Sequence, residues 1–306
     1  MRTPQGPLRT TFSVARSSAS RPAVAGPIVK WVGGKGRLLP QLRALLPPRA
    51  AQRRHVEPFV GGAALFFHRN PRRAVLSDIN PSLIAMYRAV RDNLDSVVRH
   101  LRRLARSHST EHYYATRERY NTAPLAADER AATFIYLNKT CFNGLHRVNR
   151  RGHFNVPIGR YDHPKILDEA ALRLARTRLK GAQLRCGSFE ETSARARPGD
   201  FVYLDPPYAP VSPTANFTGY AAEGFGPERQ LQLRDVFQEL DRRGCLVMLS
   251  NSAAPSIRKL YRGYSTTMVS APRSVNSRGD RRGRVAEVVV CNYDAASHGQ
   301  GAVNHG

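Results

Sequence analysis

Acidic residues are scarce in this chain: 306 residues hold 23 Asp and Glu against 48 Lys and Arg, a formal charge of +25. The surplus, mostly arginine, favours a polyanionic partner, most simply nucleic acid, although arginine richness can also be a bias shared across a proteome. Cysteine is scarce too. Cys141, Cys186, Cys245 and Cys291 lie far apart, with no C-x-x-C pair and no His at ligand spacing. That pattern signals neither a zinc site nor a disulfide framework, leaves no metal to expect, and fits a reducing cytosol. No apolar run approaches the length of a membrane span, so no membrane partner is expected. Around Lys35 the glycine spacing and the following Ser or Thr of a phosphate-binding loop are both missing, which disfavours phosphate cleavage. With 41% hydrophobic and 8% aromatic residues, global disorder is excluded as well. The length suits one large or two modest domains.

What is present centres on Asp205-Pro206-Pro207-Tyr208, which follows the apolar run Phe201-Val202-Tyr203-Leu204. The run reads as a buried strand that two prolines terminate, setting Asp205 and Tyr208 at its carboxyl edge, where open α/β sheets place their chemistry. Asp205 and the Pro206 carbonyl can accept the two N–H bonds of an exocyclic amine while Tyr208 stacks on a planar ring, so a nucleobase amine is the implied substrate. An Asp before Pro-Pro is also an ordinary turn former, and by itself the tetrapeptide leaves both readings open.

The rest of the chain alternates strand and helix patterns. Gly33-Gly34-Lys35 opens a helical pattern through Leu46, where free N–H groups can meet an anion. His55 to Gly62 runs a short strand into a glycine turn, and Ala74 to Asp78 is a second strand ending in an acid. A glycine turn followed by a carboxylate at the next strand tip suits an adenosine moiety, with Asp78 accepting from ribose hydroxyls, although Asp78 could equally cap the helix near Pro81. Leu94, Val97, Val98, Leu101 and Leu104 mark an amphipathic helix whose arginines read as a solvated face, and Ala131 to Leu137 marks another. Asn138 to Gly159 reads as an irregular loop in which Arg and Asn alternate with apolar residues, suited to reading base edges and wedging into a stack. Strands follow near Leu184, at Phe201 to Leu204, Cys245 to Ser250 and Glu287 to Asn292, with a helix from Pro227 to Arg242. The arginines between Arg273 and Arg284 are phosphate-contact candidates.

Taken in order, K-W-V-G-G-K, E-P-F-V-G-G, S-D-I-N, F-N-G-L-H-R-V-N-R-R-G-H-F-N-V-P-I-G-R-Y, D-P-P-Y and A-N-F-T-G-Y resemble the Dam-type (D12 class, alpha group) DNA adenine N6-methyltransferases across about residues 28 to 293. The resemblance implies an α/β, Rossmann-like, class I S-adenosylmethionine-dependent methyltransferase sheet with a helical DNA-recognition insertion. Residues 28–93 and 183–293 would form the catalytic domain and 94–182 the target-recognition insertion, between a basic tail (1–27) and a short end segment (294–306), both expected to be disordered. It also implies that Trp31, Lys35, Asp78 and Asp205 contact S-adenosyl-L-methionine, with Phe59 and Gly61 shaping the pocket and Phe189 near the adenine. Asp205, Pro206 and Tyr208 would hold the target base of double-stranded DNA.

The insert is similar to those of members that methylate adenine in G-A-T-C. Phe142 and Asn143 would fill or flank the stack, Leu145, Arg147, Asn149 and Pro157 would read the site, and Lys30 would lie close to the DNA. The chain departs from the family pattern at Ala63, in place of a glycine, expected to tighten the methionine end of the pocket. Further departures are His146, where Tyr or Cys is frequent, and His153, where an acidic or other polar residue is. No Pro-Cys pair, the mark of cytosine C5 methylation, occurs. A monomer in the cytoplasm, on the nucleoid, is expected. A methyltransferase acting on RNA or a protein amide and a non-catalytic DNA-binding module remain the alternatives.

Overall fold

The computed structural model describes residues 25–209, 225–272 and 284–295. After a 3-10 turn at Lys35–Arg37 the chain forms α1 (Leu39–Ala44), β1 (His55–Glu57), α2 (Ala64–Arg69), β2 (Ala74–Asp78) and α3 (Pro81–Asp92). Four helices follow, α4 (Leu94–Arg106), α5 (Thr110–Thr122), α6 (Ala127–Thr140) and α7 (Glu169–Leu179), before the sheet resumes. Its second half is β3 (Ala182–Cys186), α8 (Phe189–Ser193), β4 (Phe201–Leu204), α9 (Pro227–Arg242), β5 (Leu246–Ser252), α10 (Pro255–Leu260), β6 (Ser265–Pro272) and β7 (Arg284–Cys291).

The strands join in one sheet of order β3-β2-β1-β4-β5-β7-β6. The first five are parallel, and β7 runs antiparallel between β5 and β6. Strand order reverses between β1 and β4, so their carboxyl ends flank the crevice where such sheets bind ligands. β4 is buried throughout, and its alternate residues reach two cores. Val202 and Leu204 pack with Leu233, Phe237 and Leu240 of α9, while Phe201 and Tyr203 pack with Leu38, Leu42 and Leu65. A strand covered on both faces must be apolar at every position, which is why its sequence shows no polar alternation.

The helices between β2 and β3 share a core with α3: Tyr87 and Val90 join the same cluster as Leu101, Ile135, Leu137 and Leu179. On α4 the apolar stripe is buried and Arg99, Arg102, Arg103 and Arg106 are exposed, as its spacing implies. Three elements depart from the pattern reading. α5 has no apolar period, because it buries Tyr113, Thr116 and Tyr120 and uses the Tyr113 hydroxyl to donate to the Val156 carbonyl at 2.9 Å. α7 and β6 also form without a pattern that marked them. The loop expected to be irregular holds no strand or α-helix after Thr140, and it folds back on itself through isolated bridges from Cys141 to Ile158 and from Val148 to Phe154. No described helix is long and apolar enough to cross a membrane.

Candidate active site

Asp205 emerges where β4 ends, with its side chain 17% exposed at the rim and Oδ1 2.9 Å from the Nζ of buried Lys35. Burial pushes the carboxyl up to about 6, against the pull of Lys35, and Glu287 adds to the rise. Lys35 opens a 3-10 helix that Gly34 caps, the helix entrance its glycines suggested, but no N–H of Gly34 is left there for an anion. The Gly34 N–H is spent on the Trp31 carbonyl at 3.0 Å, and Lys35 Nζ donates back to the Gly33 carbonyl at 2.6 Å. The same ammonium lies 4.7 Å from the centre of the Tyr208 ring. One cation therefore touches both an acid and an aromatic of the D-P-P-Y turn.

The turn is held by residues that no local pattern announces. The Tyr208 hydroxyl donates to Glu287 Oε2 on β7 at 2.6 Å, and burial next to Asp205 and Glu287 raises its ionisation well above the usual phenol range. Gln230 of α9 donates to the Pro207 carbonyl at 3.1 Å and accepts from Asn251 Nδ2 at 3.0 Å, while Asn251 Oδ1 accepts from the Ala209 N–H at 3.3 Å. The available signals were a polar Asn inside the apolar strand β5 and an acid heading Val288-Val289-Val290. Among the described residues none donates to the Pro206 carbonyl.

Next to this rim, both carboxylate oxygens of Asp78 accept backbone N–H bonds, from Gly61 at 3.1 Å and Asn80 at 3.0 Å. Burial raises its proton affinity, and those bonds oppose the rise. It does not cap α3; Asn80 does, accepting from Leu83 at 3.1 Å. Gly61 has φ +43°, and a Cβ there would lie 2.7 Å from the Trp31 ring, so only glycine fits. The methyl of Ala63, in left-handed backbone at φ 57°, is buried in the core. Phe59 and Phe189 stack at 5.2 Å between centroids, with Phe225 edge-on to Phe59. Elsewhere, beside the Phe66 and Phe201 rings, the Arg69 guanidinium meets His55 Nδ1 at 2.5 Å and His55 Nε2 meets Glu57 at 2.8 Å. Burial beside Arg69 keeps His55 neutral, so its Nε2–H donates to Glu57, whose own proton affinity burial raises.

The hairpin is built differently. Phe142 and Asn143 are exposed, as are Arg147, Asn149 and Pro157, whereas Leu145 is half-buried. Arg147 Nε donates to Asn155 Oδ1 at 2.8 Å, and Asn149 Oδ1 accepts from the Arg151 and His153 N–H groups at 2.9 and 3.0 Å, organising the hairpin turn. Buried Asn138 joins the hairpin to the start of the chain: its amide pairs with both backbone groups of Lys30 at 2.8 Å and donates to the Gly144 carbonyl at 3.0 Å. Gly144, at φ +63°, packs so closely on Lys30 that a Cβ would lie 2.4 Å from it. Lys30 Nζ rests 3.9 Å from the Tyr161 ring centre. His146 stacks on Trp31 at 5.6 Å and contacts Asn80 at 3.2 Å, linking the hairpin to the rim. Residues 215–220 and 273–283, which carry A-N-F-T-G-Y and most of the arginine-rich stretch, lie outside the described residues.

A parallel sheet of this order with one antiparallel strand inserted is the Rossmann-like fold of the class I methyltransferases, and here the acid-Pro-Pro-Tyr turn sits at its switch point. Within that class the chain belongs to the D12 class N6 adenine-specific DNA methyltransferase family, whose pattern it matches over residues 31–275. It is 40% identical to a Type II methyltransferase of Lactococcus lactis subsp. cremoris over 87% of its own length and 95% of the relative's. A Type II methyltransferase of Methanocaldococcus jannaschii is 38% identical, covering 87% and 99%. The DNA adenine methylase of Escherichia coli K12 is also 38% identical, covering 86% and 93%. The chain is thus an adenine-specific DNA methyltransferase.

Proposed function

We propose that the chain transfers the methyl group of S-adenosyl-L-methionine to N6 of an adenine flipped out of a duplex G-A-T-C site. The observation that carries this reading is the Lys35–Asp205 pair at the rim beside Tyr208. The residues fit a cationic donor: Asp205 and Asp78 line the rim with carboxylates, and buried Asp205 Oδ1 has an ion-pair contact but no aligned hydrogen-bond donor. Trp31, Lys35, Asp78 and Asp205 would hold the donor, with Phe59, Gly61 and Phe189 shaping its pocket. When bound, it supplies a methyl group made electrophilic by its sulfonium.

The chain's own residues do the rest. The adenine amine is a poor nucleophile because its lone pair is delocalised into the ring. Acceptors fixed at Asp205 and the Pro206 carbonyl orient its two N–H bonds and stabilise positive charge as it grows on nitrogen, which is catalysis by positioning and electrostatics. Lys35 favours the ionised, accepting form of Asp205. Flipping the base costs roughly a few kcal/mol, and stacking on Tyr208 returns about 1–3 kcal/mol of it. Residues 94–182 act as the target-recognition insertion, where Phe142 and Asn143 flank the stack and Leu145, Arg147, Asn149 and Pro157 read bases, with Lys30 nearby. The enzyme acts as a monomer on the nucleoid in the reducing cytoplasm, which four unpaired cysteines suit. The test is methylation-sensitive sequencing of DNA from cells expressing the chain. N6-methyladenine at G-A-T-C is expected, and modification confined to another sequence overturns the site assignment.

A further inference from the structure

On the edge of the sheet opposite Asp205, where β1 to β4 begin, a cavity of about 700 Å³ opens. A second, of about 330 Å³, adjoins it and shares Arg54, Gln183 and Arg197 in its wall. Some of the arginines here serve the fold. Arg53 donates to the Gly199 carbonyl at 2.9 Å, Arg243 donates to the Ala194 carbonyl at 3.1 Å, and Arg54 grips Asp200 with Nε at 3.1 Å and Nη2 at 2.5 Å.

Arg72, Arg73, Arg195 and Arg197 are different: all four are exposed, and no described carboxylate lies within ion-pair reach of any of them. Asp200, the acid on this wall, is already held by Arg54 and by the Arg197 N–H at 2.7 Å. Like charges gathered in a concavity repel one another and focus a positive field into it, so the arrangement favours a counter-anion. Guanidinium forks match phosphate oxygens two at a time. The walls are the strand ends and the Arg54–Asp200 pair, so the geometry is largely fixed before any ligand arrives.

We propose that this amino-edge cavity binds phosphate groups at a site separate from the base-holding rim. β2 spans five residues between the two edges, a length of about 16 Å at 3.3 Å per residue. The site therefore adds a contact that no residue of the rim or hairpin supplies, and it does not depend on the methyl donor. The phosphates come either from the backbone of a second duplex segment or from a small polyphosphate.

The experiment compares the full chain with a variant carrying R72Q, R73Q, R195Q and R197Q. In the first arm, calorimetry with inorganic tripolyphosphate should show binding that the variant weakens by about tenfold or more, through loss of charge-assisted bonds. In the second, a duplex lacking G-A-T-C is titrated across a salt series. A duplex source lowers the slope of log affinity against log salt by about 2–4 units, near 0.9 for each phosphate no longer neutralised, whereas a small polyphosphate leaves it unchanged. Methyl transfer to a short single-site duplex should not change. Equal tripolyphosphate binding by both proteins together with equal salt slopes overturns the proposal. Should the fourfold variant fail to fold, R72Q/R73Q leaves the Arg195–Asp200 wall intact and must give a smaller loss of the same sign.

Discussion

The rim and the hairpin solve opposite problems with the same backbone economy. At the rim the side chains are locked: Asp205 on Lys35, Tyr208 on Glu287, and the turn between them on Gln230 and Asn251. In the hairpin the backbone is locked, by Asn138 and Asn149, while Phe142 and Asn149 are exposed and Arg147, also exposed, is held only by Asn155. Chemistry needs acceptors that are aimed before the substrate arrives. Reading bases needs donors whose final partners are supplied by the DNA. The difference teaches where each kind of substitution should register.

Asp205→Ala should have the largest effect, lowering methyl transfer by about 10³-fold or more while duplex binding stays largely intact. Parallel loss of both in transfer and binding assays would erase the distinction between rim and hairpin. Arg147→Ala should do the reverse, costing about 1–3 kcal/mol of discrimination at one base pair and sparing turnover on the best site. Unchanged sequence preference in a randomised-site methylation assay would remove Arg147 from the reading role.

Acidity sharpens the comparison further. The Asp205 carboxyl is raised from 3.8 to about 6, and the base must be accepted by its ionised form, so kcat/KM should fall as pH drops through about 6. The stability contribution has the opposite sense: it is fully present below 3.8 and lost as pH rises through about 6. Lys35→Gln should move the acid limb upward, and an unmoved limb would mean that another group sets it. His146→Ala should loosen the stacked contact between the two regions, weakening donor binding in calorimetry by a few-fold. A donor affinity equal to wild type would show that Trp31 is positioned without it.

The smallest effect is expected at Ala63, whose left-handed backbone costs roughly 1–2 kcal/mol relative to glycine. Ala63→Gly relieves that strain but gives up about 0.8 kcal/mol of buried methyl and about 0.5–1 kcal/mol of backbone entropy. The terms nearly cancel, so the melting temperature should scarcely move. A large rise would mean that the methyl is poorly packed.

Much of the sheet was legible because β2 and β4 are largely apolar runs that end at an acid, β1 runs into a glycine turn, β5 opens with four apolar residues, and α4 and α9 repeat apolar residues at helical spacing. Where burial is achieved with tyrosine hydroxyls, as on α5, or with the small polar residues of β6, that code is silent. The rim's motif residues were legible through D-P-P-Y and the glycine turns, but their partners were not. Gln230, Asn251 and Glu287 meet the turn only because the sheet brings three distant segments to one edge. Sequence neighbours carry no record of such meetings.

The backward run of β7 also imposes an order of assembly. Its Glu287 lies opposite Ser252 at the end of β5, so the acid that tethers Tyr208 comes from a segment 79 residues further along the chain. Synthesis proceeds from the amino terminus. A nascent chain can therefore have its parallel strands in place while the tyrosine is still unmoored, and the rim is complete only once β7 has left the ribosome.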